Sequence, residues 1–156
     1  MENLPQKLLN YMNSNMDREL LNGYLRIIDE TKSPEYTKLL SKWDEWEGGI
    51  PFASTAFGQI LVWHSNFVYK YDLIDNVVTV ILSGFDFFFQ NIEDKEYQQD
   101  FFELELYEKC KTKLGKIGDD ECYIYVPVPS LGGSKSFETI EKGKILEYLY
   151  ILVDTL

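Results

Sequence analysis

Histidine is almost absent from this chain: among 156 residues only His64 carries an imidazole. A serine or cysteine nucleophile would need it as general base, and no GxSxG elbow accompanies it. Cysteine is nearly as scarce. Cys110 and Cys122 form no CxxC pair and no Cys/His ligand spacing, so the sequence spells out no zinc site. Two isolated thiols fit a reducing compartment and are expected to be free. Basic residues are also few, with 15 Lys plus Arg against 26 Asp plus Glu and a formal net charge of -11. Such a chain is repelled by phosphate backbones and anionic lipid, which excludes nucleic acid and membrane surfaces as expected partners and favours a basic protein. No apolar run approaches the ~20 residues of a membrane-spanning helix. Residues 1–15 lack the charged, apolar and small-residue regions of a signal peptide, so a cytoplasmic location is expected.

What remains is apolar and aromatic. Hydrophobic residues make up 45% of the chain and aromatics 15%, too much for a disordered segment, and the length suits one domain with a sizeable core. Residues 4–11 have the spacing of a short helix through Leu8, Leu9 and Met12, broken by the polar run 13–17. Asn22-Gly23 signals a turn and 24–28 a strand. Ser33-Pro34 is expected to open a helix, with serine as cap, proline at the first position, a stripe of Leu39, Leu40, Trp43 and Trp46, and Gly48-Gly49 as its stop. Residues 57–82 read as a three-stranded antiparallel meander. Gln59 to His64 forms the first strand, Ser65-Asn66 the first turn and Asp75-Asn76 the second. In the middle strand Phe67, Tyr69, Tyr71 and Leu73 alternate with Val68, Lys70 and Asp72, which predicts an aromatic face turned inward. The β-branched run 77–82 is expected at the sheet's centre.

After residues 85–92 an acidic helix is expected over 94–111, with Tyr97, Phe101 and Leu104 on one face and Phe102, Leu106 and Cys110 on another. Two apolar faces point to burial on both sides or to a partner surface on one. Residues 144–155 carry two further sets, Ile145, Leu149, Leu152 and Leu146, Tyr150, Val153, as a helix sandwiched in the core would. The expected fold class is α+β, a single domain over 1–156. An antiparallel sheet holding 59–82 and the strand 122–126 is covered on one face by the helices at 94 and 144. Helix 34–46 packs at the sheet's edge or on the same face. Phe57, Val62, Tyr69, Val80, Phe101, Ile124, Leu149 and Leu152 are the expected core.

Motifs that carry chemistry are missing as well. Gly132-Gly133 lacks the context of a phosphate cradle and reads as a turn that needs positive φ or close backbone packing. Asp119-Asp120-Glu121 lacks the spaced ligands of a calcium loop. Paired carboxylates for hydrolysis are conceivable in so acidic a chain, but no pairing is legible. No catalytic residue, metal or cofactor is expected.

The order of residues 114–134 is more telling than their chemistry. Lys113-Leu114-Gly115-Lys116, Asp120-Glu121, Tyr125-Val126-Pro127 and Ser130-Leu131-Gly132-Gly133 resemble the DUF1851 segment of bacterial immunity proteins that often begin with a GAD-like domain. Pro51-Phe52-Ala53, Thr55-Ala56-Phe57-Gly58 and Val62-Trp63 resemble the part of those proteins that precedes their sheet. The resemblance covers about 34–156 and leaves 1–33 as a divergent N-terminal segment. It implies a non-enzymatic protein that binds and neutralises a cognate toxin, including DNase effectors of the type VI secretion system. A cytoplasmic regulatory binding module of the SMI1/KNR4-like group is the rival reading, and a carboxylate hydrolase the third. Acidic density peaks over 93–108 and resumes at 119–121, so Glu96, Asp100, Glu103, Asp119 and Asp120 are the candidate partner-binding rim. A solvated helix face is the plain alternative for the same charges.

Overall fold

The computed structural model describes residues 2–14 and 17–155. Six strands run antiparallel in sequence order: β1 (Glu19–Leu20), β2 (Leu25–Ile27), β3 (Ile50–Thr55), β4 (Ile60–His64), β5 (Phe67–Asp72) and β6 (Val77–Ser83). The meander expected over 57–82 is β4–β5–β6, joined by the turns Ser65-Asn66 and Asp75-Asn76. Asparagines 66 and 76 hold positive φ there, which asparagine tolerates better than most residues. The fold class is α+β, as expected.

Three particulars differ from the sequence reading. β6 is the sheet's edge, not its centre, because the chain leaves the sheet after it. The strand at 122–126 is not in this sheet: β7 (Glu121–Tyr125) pairs with β8 (Ile140–Lys144) in a separate two-stranded sheet, from Glu121 opposite Lys144 to Tyr125 opposite Ile140. The main sheet is also covered on both faces, which defeats the simple inward-outward reading of β5. Leu61 and Val68 pack with one cluster, whereas Ile60, Val62 and Tyr71 pack with another. Adjacent residues of a strand point to opposite faces, so the two clusters are the two sides of one sheet.

The first face is covered by α1 (Gln6–Ser14) and by three helices that follow the sheet, α3 (Phe88–Asn91), α4 (Lys95–Phe101) and α5 (Leu104–Leu114). Leu8, Met12, Phe88, Tyr107 and Cys110 join the core from them, and Phe102 from the link between α4 and α5. The long acidic helix expected over 94–111 is thus two helices. The break falls at Phe102, in extended conformation, and at Glu103, whose N–H donates to the Tyr24 hydroxyl at 3.0 Å. It interrupts both expected stripes: Phe102 and Cys110 are buried, while Tyr97, Phe101, Leu104 and Leu106 are only partly so.

The second face is covered by α2 (Ser33–Leu40) and α6 (Ile145–Asp154), which lie against each other. The 94 and 144 helices therefore flank the sheet from opposite sides. Helix α2 ends six residues before Trp46, so Trp43 and Trp46 sit in the following turns, where both rings pack on Tyr71 at 5.6 and 5.4 Å. Ser33 does not cap α2; its hydroxyl donates to the Pro51 carbonyl and ties the helix to β3. Of the expected core, Phe57, Val62, Leu149 and Leu152 are buried, Tyr69, Phe101 and Ile124 are half-buried, and Val80 is 47% exposed on the sheet's edge. Cys110 and Cys122 are buried free thiols, each pushed up by burial, Cys110 to about 11.

Candidate functional site

A polar cleft of about 300 Å³ opens where the β5–β6 end of the sheet meets the α4–α5 break. It grows from local geometry. Thr55, Gln59 and Asp72 are polar residues buried near the β3–β4 and β5–β6 turns. The Thr55 hydroxyl accepts the Gln59 N–H and bonds the Gln59 side-chain oxygen at 3.0 Å. Gln59 Nε2 donates to Asp72 Oδ2 at 3.0 Å, and the Asp75 N–H donates to Asp72 Oδ1 at 3.0 Å. Each buried polar group in this chain of contacts has a partner, which is what keeps it affordable in the interior.

Around this floor stand four carboxylates, Asp72, Asp75, Asp100 and Glu103, and two ammonium groups. Lys70 Nζ donates to the Phe101 carbonyl at 2.6 Å, and its pKa is lowered because burial disfavours the charge. Lys135 reaches Asp75 at 2.7 Å from the loop after the second sheet's first strand. Burial opposes its charge, but the Asp75 contact prevails and raises its pKa. Glu103 stands at the rim, and its carboxyl is held above the usual carboxylate range. Loss of solvent is the first cause; Asp72 and Asp75 add to it, against Lys135 and Lys70. With two charges of excess acid, the cleft is suited to a basic group.

The five rim residues expected from sequence do not form one site. Asp100 and Glu103 meet at the cleft, on either side of the helix break. Glu96 lies in the first turn of α4, outside the cleft lining. Asp119 and Asp120 occupy the turn into β7, also outside it. Asp120 is bound to Lys144 at 2.9 Å, and that hydrogen bond and charge hold its carboxyl below the usual carboxylate range. Its carbonyl also accepts the Ile145 N–H that begins α6. That turn is fastened from behind by Arg26, whose buried guanidinium donates to the carbonyls of Ile117 and Gly118 and pairs with Glu19 at 3.4 Å.

Gln59, Lys70, Asp72, Asp75 and Lys135 were not singled out from sequence. The one available signal was a charged row, Lys70 and Asp72, inside an otherwise apolar strand. His64 ends β4, half-buried, with Nδ1 against the Glu2 carboxylate. Among the described residues no group of three or more His, Cys, Asp or Glu is arranged to hold a metal ion. No helix among them is long and apolar enough to cross a membrane.

Comparison with known proteins now bears on this geometry. Residues 82–155 match the sequence model of the family described as T6SS immunity protein Tdi1, C-terminal. The matched segment begins at the end of β6 and takes in α3 to α6 with the whole second sheet, so it contains Asp100, Glu103 and Lys135 of the cleft. The β3–β4 turn that supplies Gln59 and the strand β5 that supplies Lys70 and Asp72 precede it. The fold is shared with the crystal structure of Atu4351 from Agrobacterium tumefaciens, at a TM-score of 0.76 and 16% identity over 96% of this chain and 75% of that one. No curated protein sequence matches the chain.

Proposed function

We propose that this protein is an immunity protein that binds and neutralises a cognate bacterial toxin, a nuclease effector delivered by a type VI secretion system. The observation that carries the reading is the match of residues 82–155 to a type VI secretion immunity family. The net charge of -11 supports a nuclease as the target, because an enzyme that grips phosphates presents the opposite charge. Neutralisation then needs no chemistry from this chain. An acidic surface seated over a phosphate-binding groove excludes the substrate by occupying the same field. Asp100 and Glu103 at the cleft supply that surface, and Glu96, Asp119 and Asp120, outside the cleft, add to the long-range field. The location of action is the cytoplasm, where an incoming nuclease meets its substrate.

Co-expression tests the proposal. The toxin domain encoded beside this gene is induced in a sensitive host with and without the chain, and survival and plasmid integrity are followed. Rescue with recovery of a stable complex is the expected result. Toxicity unchanged by the chain, with no complex, assigns it instead to a regulatory binding role.

A further inference from the structure

Strand β6 closes the sheet with one side of its backbone unpaired. It pairs with β5 alone, and among the described residues 77–80 make no hydrogen bond outside that ladder. The upper part of the edge is guarded. The register shifts by one residue at Ile81, which twists the strand there, and the Tyr97 hydroxyl donates to the Ile81 carbonyl at 2.6 Å. The lower part, Val-Val-Thr-Val, carries none of the usual protections of a free edge, having neither charge nor proline. Val77 and Val80 are 45% and 47% exposed.

The two sides of this open run differ. On one, Val77 and Thr79 line the cleft that holds Asp75, Asp100 and Glu103. On the other, Val78 and Val80 stand beside Tyr71 and Tyr69 in the register of the ladder, and the α2 and α6 layer leaves Val80 uncovered. Side chains of a strand alternate between faces, so a strand laid along 77–80 would send one row over the carboxylates and the other over Val80 and Tyr69.

We propose that residues 77–80 take an extended segment of a partner protein as a seventh strand, with basic side chains toward the cleft and apolar ones toward Val80. This rests on the reading that the chain binds a protein partner, and it names the surface and the chemistry of the segment. Main-chain pairing supplies the affinity and the alternate rows the selectivity. A second copy of this chain is a poor occupant, because pairing β6 with β6 would bring two acidic clefts together.

Two probes test the proposal: the neighbouring toxin domain, and an immobilised ten-residue peptide alternating arginine and valine, with a glutamate–valine peptide as control. The expected result is binding of the toxin domain and of the arginine peptide, with slowed amide exchange at 77–80. Exposed-site substitutions Val80→Lys and Asp100→Lys should each weaken both by about tenfold or more, while Glu30→Lys, which changes charge elsewhere by as much as Asp100→Lys and by more than Val80→Lys, should not. Tight toxin binding that ignores Val80→Lys and Asp100→Lys and leaves exchange at 77–80 unchanged overturns the site and spares the immunity reading. Arginine-peptide binding at 77–80 without any toxin binding spares the site and overturns that reading. Concentration-dependent dimers protecting 77–80 overturn the site by assigning the edge to a second copy.

Discussion

Gln59 and Asp72 meet at the floor of the cleft, the side-chain amide donating to the carboxylate at 3.0 Å with both residues buried. Gln59 lies in the β3–β4 turn and Asp72 ends β5, so the contact ties that turn to the end of β5. Gln59→Ala removes the donor and leaves a buried carboxylate with one partner fewer. The expected cost is about 1–3 kcal/mol, read by chemical denaturation at pH 7. Gln59→Glu, which keeps the shape and sets a second carboxyl beside Asp72, should cost more at pH 7 than at pH 4. Equal losses at both pH values would show that charge at this contact is not what matters.

Glu103 is expected to make the fold less stable as pH rises. Its folded pKa lies above the ordinary value, chiefly through loss of solvent. Its full contribution to stability is present below the unfolded pKa, about 4.3, and is lost as pH rises through the higher folded value. Glu103→Gln should therefore melt higher than the native chain at pH 7, with the difference closing toward pH 4. Because the residue is exposed at the rim, the difference should be small and should shrink in salt. A melting difference that grows toward low pH would reverse the assignment.

Leu149 and Val80 were both expected in the core, and the structure separates them. Leu149 is fully buried between α6 and the second face, whereas Val80 faces solvent at the edge. Leu149→Ala should cost about 2–5 kcal/mol by leaving a cavity. Val80→Ala should change stability by no more than about 0.5 kcal/mol. Similar losses at the two positions would return β6 to the interior.

The contrast shows where sequence patterning informs and where it runs out. The meander, its turns at Asn66 and Asn76 and the C-terminal helix were legible because each depends on local signals: alternation, turn residues and a 3.6-residue stripe. The β6 position was not legible. A β-branched run reads as central whether or not a further strand follows, and nothing in 77–83 records that the chain departs. The two-sided sheet was missed for a related reason. Tyr69 and Tyr71 outweighed Val68 in the pattern, while the aliphatic stems and hydrogen bonds that let Lys70 and Asp72 sit inside are tertiary facts. The helix break at Glu103 depends on the Tyr24 hydroxyl, 79 residues away. Charge density groups Asp100 and Glu103 with Asp119 and Asp120, whereas the structure holds the latter two in a separate turn fastened by Arg26 and Lys144, which no local pattern shows.

Gly132 and Gly133 matter for different reasons. Gly132 holds a φ of +95° with open space around it, so Gly132→Ala should cost about 1–3 kcal/mol from backbone strain alone. Gly133 has no room: an added Cβ would lie 1.7 Å from the Pro127 carbonyl oxygen. Gly133→Ala must therefore displace the loop that also carries Lys135, and it should destabilise more than Gly132→Ala in urea unfolding. It should also loosen the Lys135–Asp75 contact, which Gly132→Ala should leave in place. Equal effects would mean the loop yields without cost.

Charge reversal divides the candidate rim. Asp100 and Glu103 share the cleft, whereas Glu96 and Asp119 lie outside it, and Asp120 is already engaged by Lys144. If long-range attraction alone brings the toxin domain in, Asp100→Lys with Glu103→Lys and Glu96→Lys with Asp119→Lys carry the same change in net charge and should slow association equally. If the cleft is the contact, the first pair should also speed dissociation, because a basic group leaving solvent there loses its partners. The expected outcome is about a tenfold loss of association rate at low salt for both pairs, fading near the Debye screening of 0.15 M salt. Faster dissociation that persists in salt is expected for the cleft pair only. Stopped-flow mixing at two ionic strengths separates the two rates. Faster dissociation from the Glu96 and Asp119 pair instead would move the contact away from the cleft, toward the turn that Arg26 holds.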